Sequence, residues 1–154
     1  MKKLPVVHLI CFGVILVSLF LPYKSFDYYT GGMFGNTLAE ENVKMAGVEL
    51  VESHIMVALM IFGLIPLFIK RNRAMTIITL VLAAFNVLYM PLLAFILTFE
   101  LFSPRRNVSV ELGYMIAVIA VLVFFGASIV ELRKAVRAHR NEKPKPTVDL
   151  LDDL

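Results

Sequence analysis

Four long apolar runs, at residues 4–22, 51–69, 74–98 and 109–130, constrain this chain more than any other feature. A bilayer hydrocarbon core about 30 Å thick is crossed by about 20 helical residues, each rising about 1.5 Å. A water-soluble domain has no use for four such runs in 154 residues. Composition agrees. Hydrophobic residues make up 59% and charged residues 18%, whereas a soluble domain carries about a quarter charged residues. The expected fold is an all-α membrane protein. Its four-transmembrane-helix antiparallel bundle fills residues 1–143, with helices at about 4–22, 51–69, 74–98 and 109–140. A chain of this size has no room for a second folded domain.

Lys2 and Lys3 ahead of an apolar run also begin a secretory signal. This run closes in Ser18-Leu19-Phe20-Leu21-Pro22 without the small-x-small pattern of a cleavage site, so it is expected to stay as the first helix. Orientation follows from charge, because Lys and Arg near the membrane ends collect on the cytoplasmic side. With the start of the chain inside, the inner segments hold Lys2, Lys3, Lys70, Arg71, Arg73, Arg133, Lys134, Arg137, Arg140, Lys143 and Lys145. The outer loops hold only Lys24, Lys44, Arg105 and Arg106. Both ends are therefore expected in the cytoplasm of a bacterial cell, with the bundle in its plasma (inner) membrane.

The short Lys70-Arg71-Asn72-Arg73 connection makes helices two and three antiparallel neighbours. The long outer loop, residues 23–50, alternates aromatic and polar residues over Tyr23–Tyr29. It carries turn signals at Gly31-Gly32 and Gly35-Asn36, and a second strand-like stretch over Val43–Leu50. A small extracytoplasmic β-hairpin or sheet is expected there. Beyond the membrane the fourth helix continues through Glu131, Arg133, Lys134, Arg137 and Arg140 until Pro144 and Pro146 stop it. Lys70, Arg71, Arg73, Arg133, Lys134 and Arg137 would lie along anionic lipid, as any positive-inside anchor does. The tail, 144–154, is expected to be disordered.

Catalytic and cofactor chemistry finds little support. The single cysteine, Cys11, excludes an intrachain disulfide and a cysteine-based metal cluster. His8 and His54 fall near opposite membrane faces and cannot share a haem iron. His8 is expected to pack between helices or at the interface, and His54 to cap the outer start of helix two. No carboxylate lies mid-membrane, where ionisable groups usually mark function. Glu52, Glu100, Glu111 and Glu131 all fall at helix ends. No enzyme activity, cofactor, metal or nucleic-acid partner is expected. The expected partners are membrane lipid and another protein chain, or a second copy, meeting the transmembrane helices.

Asn86 is the one strongly polar side chain near a bilayer centre, with Tyr89 one turn on and Pro91 after it. It is read either as hydrogen-bonding glue between helices or as a ligand or gating point on a transport path. Gly113, Ala117 and Gly126 are small residues that let helices approach closely. Asn107-Val108-Ser109 matches a glycosylation acceptor pattern, relevant only in a eukaryotic secretory pathway.

The order of these features resembles uncharacterised bacterial four-helix integral membrane protein families. The residues that carry the resemblance are Leu21-Pro22-Tyr23 closing helix one, Gly47-Val48-Glu49-Leu50 closing the loop, Lys70-Arg71-Asn72-Arg73, and Gly113-Tyr114 opening helix four. It covers roughly residues 1–140. The layout is similar to claudin-like bundles without their cysteines and tryptophan. The resemblance implies a fold and an inner-membrane address, and no activity. The functional expectation is a non-enzymatic accessory or scaffold subunit of a membrane complex, the alternative a small transporter or channel component centred on Asn86.

Overall fold

The computed structural model describes residues 5–30, 39–69, 73–99 and 105–142. Four helices, α1 (Val6–Ser18), α2 (Val51–Ile69), α3 (Arg73–Thr98) and α4 (Leu112–Glu142), form the bulk of the fold. Strands β1 (Pro22–Thr30), β2 (Ala39–Ala46) and β3 (Arg105–Val110) make one small antiparallel sheet in the order β2-β1-β3. Around the bundle, α1 packs on α4, α4 on α3 and α3 on α2, with a lighter α1–α2 contact closing the ring. All three strands join helices at the same end, so the sheet caps that end of the bundle.

The helices pack along seams of alternating three- and four-residue spacing. Buried positions run Thr76, Thr79, Ala83, Asn86, Met90, Leu93 and Leu97 on α3, and His8, Cys11, Ile15 and Ser18 on α1. On α4 they run Tyr114, Ala117, Val121, Phe124 and Ser128. A 3.5-residue repeat keeps one narrow stripe facing its neighbours along a slightly supercoiled bundle. The stripe is rich in small and polar side chains, while large apolar ones face outward. Leu88 is 70% exposed, Ile119 61% and Phe62 59%. Water penalises such a surface, whereas lipid tails solvate it, and close helix approach in lipid relies on small residues.

Three helices, α2, α3 and the 112–138 part of α4, are long and apolar enough to cross a membrane. The first helix is shorter than the expected 4–22. Its 13 residues rise only about 20 Å, short of a bilayer core. The cause is Pro22, which has no N–H to continue a helix and pushes the preceding residue toward extended backbone. The chain turns at Leu19–Phe20 and enters β1, with the Leu21 carbonyl accepting from Gly47 N.

Two further corrections concern the sheet. It was expected within the first loop alone, but β3 comes from the connection between α3 and α4. Helix four accordingly starts at Leu112 rather than 109, because Ser109 and Val110 pair with Ser25 and Lys24 of β1. The second strand ends at Ala46, and Gly47–Glu49 form a single 3-10 turn into α2. Ser53 and His54 brace that start: the Ser53 hydroxyl donates to the Gly47 and Leu50 carbonyls, and His54 Nδ1 donates to Leu50 O at 2.9 Å. The tail expected to be disordered, 144–154, lies outside the described residues.

Candidate functional site

Three groups of polar or open positions stand out: a clamp under the sheet, a polar ladder between helices, and the flank formed by α1 and α4.

The clamp is built on Tyr23, which is fully buried where β1 leaves the bundle. A register shift between Pro22 and Lys24 leaves Tyr23 without a partner in β2 and turns its ring into the bundle end. The Ser18 hydroxyl donates to Ile15 O at 2.7 Å, so the 3.0 Å contact between Tyr23 Oη and Ser18 Oγ has the phenol as donor. Two glycines press on the ring. A Cβ on Gly47 would lie 2.6 Å from Tyr23 Cε1, and one on Gly113 would lie 2.8 Å from Tyr23 Cδ1 and 2.7 Å from Pro22 O. Tyr114 meets the ring edge-on, 6.3 Å between centroids, and donates to Met90 O on α3 at 2.6 Å. Burial pushes the Tyr23 phenol above its usual pKa; the Ser18 hydrogen bond lowers it in part, and Tyr114 adds to the rise. Beside the clamp, Ser25 Oγ donates to Glu111 Oε1 and meets Ser109 Oγ at 2.7 Å, tying β1 and β3 to the start of α4. Sequence reasoning placed Tyr23 and Gly47 in loop motifs but gave neither a packing role. Their one local signal was an aromatic after Leu21-Pro22 and a glycine at the mouth of helix two.

The polar ladder holds α3 to α2. Asn86, 1% exposed, donates through Nδ2 to Met56 O at 3.2 Å, and Tyr89 Oη donates to Glu52 O at 2.8 Å. Asn86 and Tyr89 are therefore brought onto the same neighbouring helix. Asn86 Oδ1 has no hydrogen-bond partner among the described residues. Helix α3 runs unbroken through Pro91, as α2 does through Pro66.

The α1–α4 flank is joined at His8. Ser128 donates its hydroxyl hydrogen to Phe124 O at 2.9 Å, so His8 Nε2, 3.2 Å from Ser128 Oγ, is the donor in that pair. The imidazole also meets the Phe124 ring edge-on at 4.7 Å. This fits the packing role expected for His8. Two concavities open along the flank. One, of about 350 Å³, lies over Gly13, with Ile10, Val14, Val17 and Ile116 around it. The other, of about 830 Å³, lies over Gly126 between the start of α1 and the C-terminal half of α4. Among the described residues, no atom outside the glycine's own stretch of helix lies within 4 Å of an added Cβ at Gly13 or at Gly126.

The small-residue positions read from sequence thus divide. Gly113 and Ala117 are packed, the latter fully buried. Among the described residues Gly126 makes no close contact with another helix and instead floors a groove. The basic positions Arg73, Arg133, Lys134 and Arg137 are exposed, while Lys70 and Arg71 lie outside the described residues. Among the described residues, no three His, Cys, Asp or Glu side chains are grouped to hold a metal ion. No protein-family model matches the chain, and no curated protein matches it.

Proposed function

We propose that this chain is a multi-pass protein of a bacterial cytoplasmic membrane, with both ends in the cytoplasm and the sheet outside. The charge distribution along the sequence supports that orientation. On this reading α1 lies beside α4 in the bilayer, and Pro22 starts the sheet at its outer boundary. The same layout underlies a kinship with the uncharacterised four-helix families that the sequence resembles.

We further propose that the protein is a non-enzymatic accessory or scaffold subunit. The observation that carries this is the open concavity over Gly13. A glycine on the outer face of a short apolar helix, with nothing over it in its own chain, suits the close approach of a transmembrane helix from a partner. The polar side chains of the interior point the same way: His8, Tyr89 and Tyr114 join one helix to the next. The test is crosslinking and affinity purification of the tagged chain from its native membrane, beside Gly13→Leu. A stoichiometric partner that the variant loses, at unchanged protein level, is the expected result. A wild-type chain that stays abundant and captures nothing refutes the reading.

The unpaired Asn86 Oδ1 favours one second reading, a transport component in which a solute or ion completes that oxygen's coordination. Loss of flux in Asn86→Leu with the fold intact would support it.

A further inference from the structure

The larger groove, over Gly126, has a depth and polarity of its own. Its α4 side is one helical stripe that includes Gly126, Val130, Glu131 and Lys134, and its α1 side includes Val6 and His8. Its volume of about 830 Å³ falls in the range of ligand-binding clefts, roughly 300–1,000 Å³. From Leu112 to Val130 the helix carries no charged residue. These 19 positions rise about 28 Å, close to one hydrocarbon core. Glu131 therefore falls at the inner boundary of the bilayer. The apolar half of the groove lies in the inner leaflet, and the charged half lies at head-group level.

The charged half offers two opposite charges side by side. Lys134 Nζ sits 3.3 Å from Glu131 Oε1, its side chain 66% exposed against 16% for the carboxylate. With its ammonium largely in solvent, the pair is weakly held at the Lys134 end. We propose that the groove binds a membrane phospholipid whose head group carries both a phosphate and a primary amine. One acyl chain lies along Gly126 and Val130 against Val6, the phosphate meets the Lys134 ammonium, and the amine meets the Glu131 carboxylate. A purely anionic head group meets the same ammonium but also faces the carboxylate, so it gains less.

The inference rests on the membrane placement proposed above. Its test uses the full-length protein reconstituted in vesicles of equal parts phosphatidylethanolamine and phosphatidylglycerol, then taken into mild detergent for native mass spectrometry. One retained lipid is expected, with phosphatidylethanolamine favoured about threefold, the size of one half-exposed charge pair. Gly126→Leu fills the groove from a position with no atom within 4 Å of the added Cβ, so it removes the retained lipid without disturbing the backbone. Glu131→Gln keeps a lipid but loses the preference. Equal or preferential retention of phosphatidylglycerol by the wild type, equal retention by Gly126→Leu, or an unchanged preference in Glu131→Gln overturns the proposal. A wild-type chain that alkaline carbonate strips from its membrane overturns the membrane reading as well. A firmly embedded chain with no retained lipid overturns the groove alone.

Discussion

Gly113 and Gly126 sit on the same helix and offer a controlled comparison. Replacing a helical glycine by alanine removes backbone freedom from the unfolded chain and is worth about 0.5–1 kcal/mol where the side chain fits. That gain is nearly common to both positions, so the difference between the variants isolates packing. At Gly126 the new methyl meets nothing within 4 Å, and Gly126→Ala is expected to stabilise by the full gain. At Gly113 it would lie 2.7 Å from Pro22 O and 2.9 Å from Leu21 O. Both are backbone atoms that cannot swing aside as a side chain does. Leu21 O is already fixed by its hydrogen bond from Gly47 N. Relief requires β1 to lift off α4, which also unseats the Tyr23 ring. Overpacking of this kind costs about 1–3 kcal/mol. Gly113→Ala should therefore fall below Gly126→Ala by about that amount, and below wild type despite the helix-propensity gain. The assay is denaturant or thermal unfolding of the purified full chain in one mild detergent, followed by far-ultraviolet circular dichroism. Equal stability of the two variants, or a Gly113→Ala more stable than wild type, would refute the close approach of β1 and α4.

Tyr23 should also give the fold an alkaline limit. Its phenol titrates higher when folded than when unfolded, so the neutral form is favoured by the fold. The associated stability is complete below the unfolded value, near pH 10, and is lost as pH rises through the folded value. Tyr23→Phe should flatten stability between those limits at a cost of about 1 kcal/mol for the lost Ser18 hydrogen bond; a pH profile of unfolding identical to wild type would count against the clamp. Asn86→Leu removes one long hydrogen bond and one unpaired buried oxygen together, so its stability should stay within about 1 kcal/mol of wild type. A large loss in detergent unfolding would show that Asn86 holds more than Met56 O. In a Cys11→Ala background, Lys44→Cys should label with a membrane-impermeant thiol reagent in intact cells, and Arg137→Cys only after permeabilisation. Reversed labelling would invert the proposed orientation.

The parts of this fold that were plain in the sequence are the long apolar helices, whose pattern the proposed lipid surroundings alone would set. The second helix spans 51–69 as read, and the third differs by one residue, because charged residues bound each apolar run: Glu49 and Glu52 at the start of helix two, Lys70, Arg71 and Arg73 between the two, and Glu100 after helix three. Hydropathy failed where protein contacts replace lipid. Leu19–Pro22 are as apolar as any membrane span, yet Pro22 starts a strand whose next four residues, Tyr23–Phe26, are buried. Val108-Ser109-Val110 is too short an alternation to separate from the helix that follows, and only pairing with β1 makes it a strand. The clamp role of Tyr23 was not legible for a related reason: it comes from Gly113, distant in sequence, and no local pattern links them.

The interior could have been read by a different rule. In water the apolar residue marks the core, but here nearly every helix position is apolar and exposure to lipid costs nothing. The informative residues are the exceptions. His8, Ser18, Ser53, Thr76, Thr79, Asn86 and Ser128 are all buried, and each falls on a seam of buried positions spaced three and four residues apart. A hydroxyl, amide or imidazole in hydrocarbon must find a partner, so it turns inward wherever a neighbouring helix offers a carbonyl or hydroxyl. His8 finds Ser128, and Asn86 finds the Met56 carbonyl. The polar residue inside an apolar run is then first a packing marker. A transport role for such a residue needs more than burial: hydrogen-bonding capacity that its neighbours leave unmet, which among the described residues is Asn86 Oδ1.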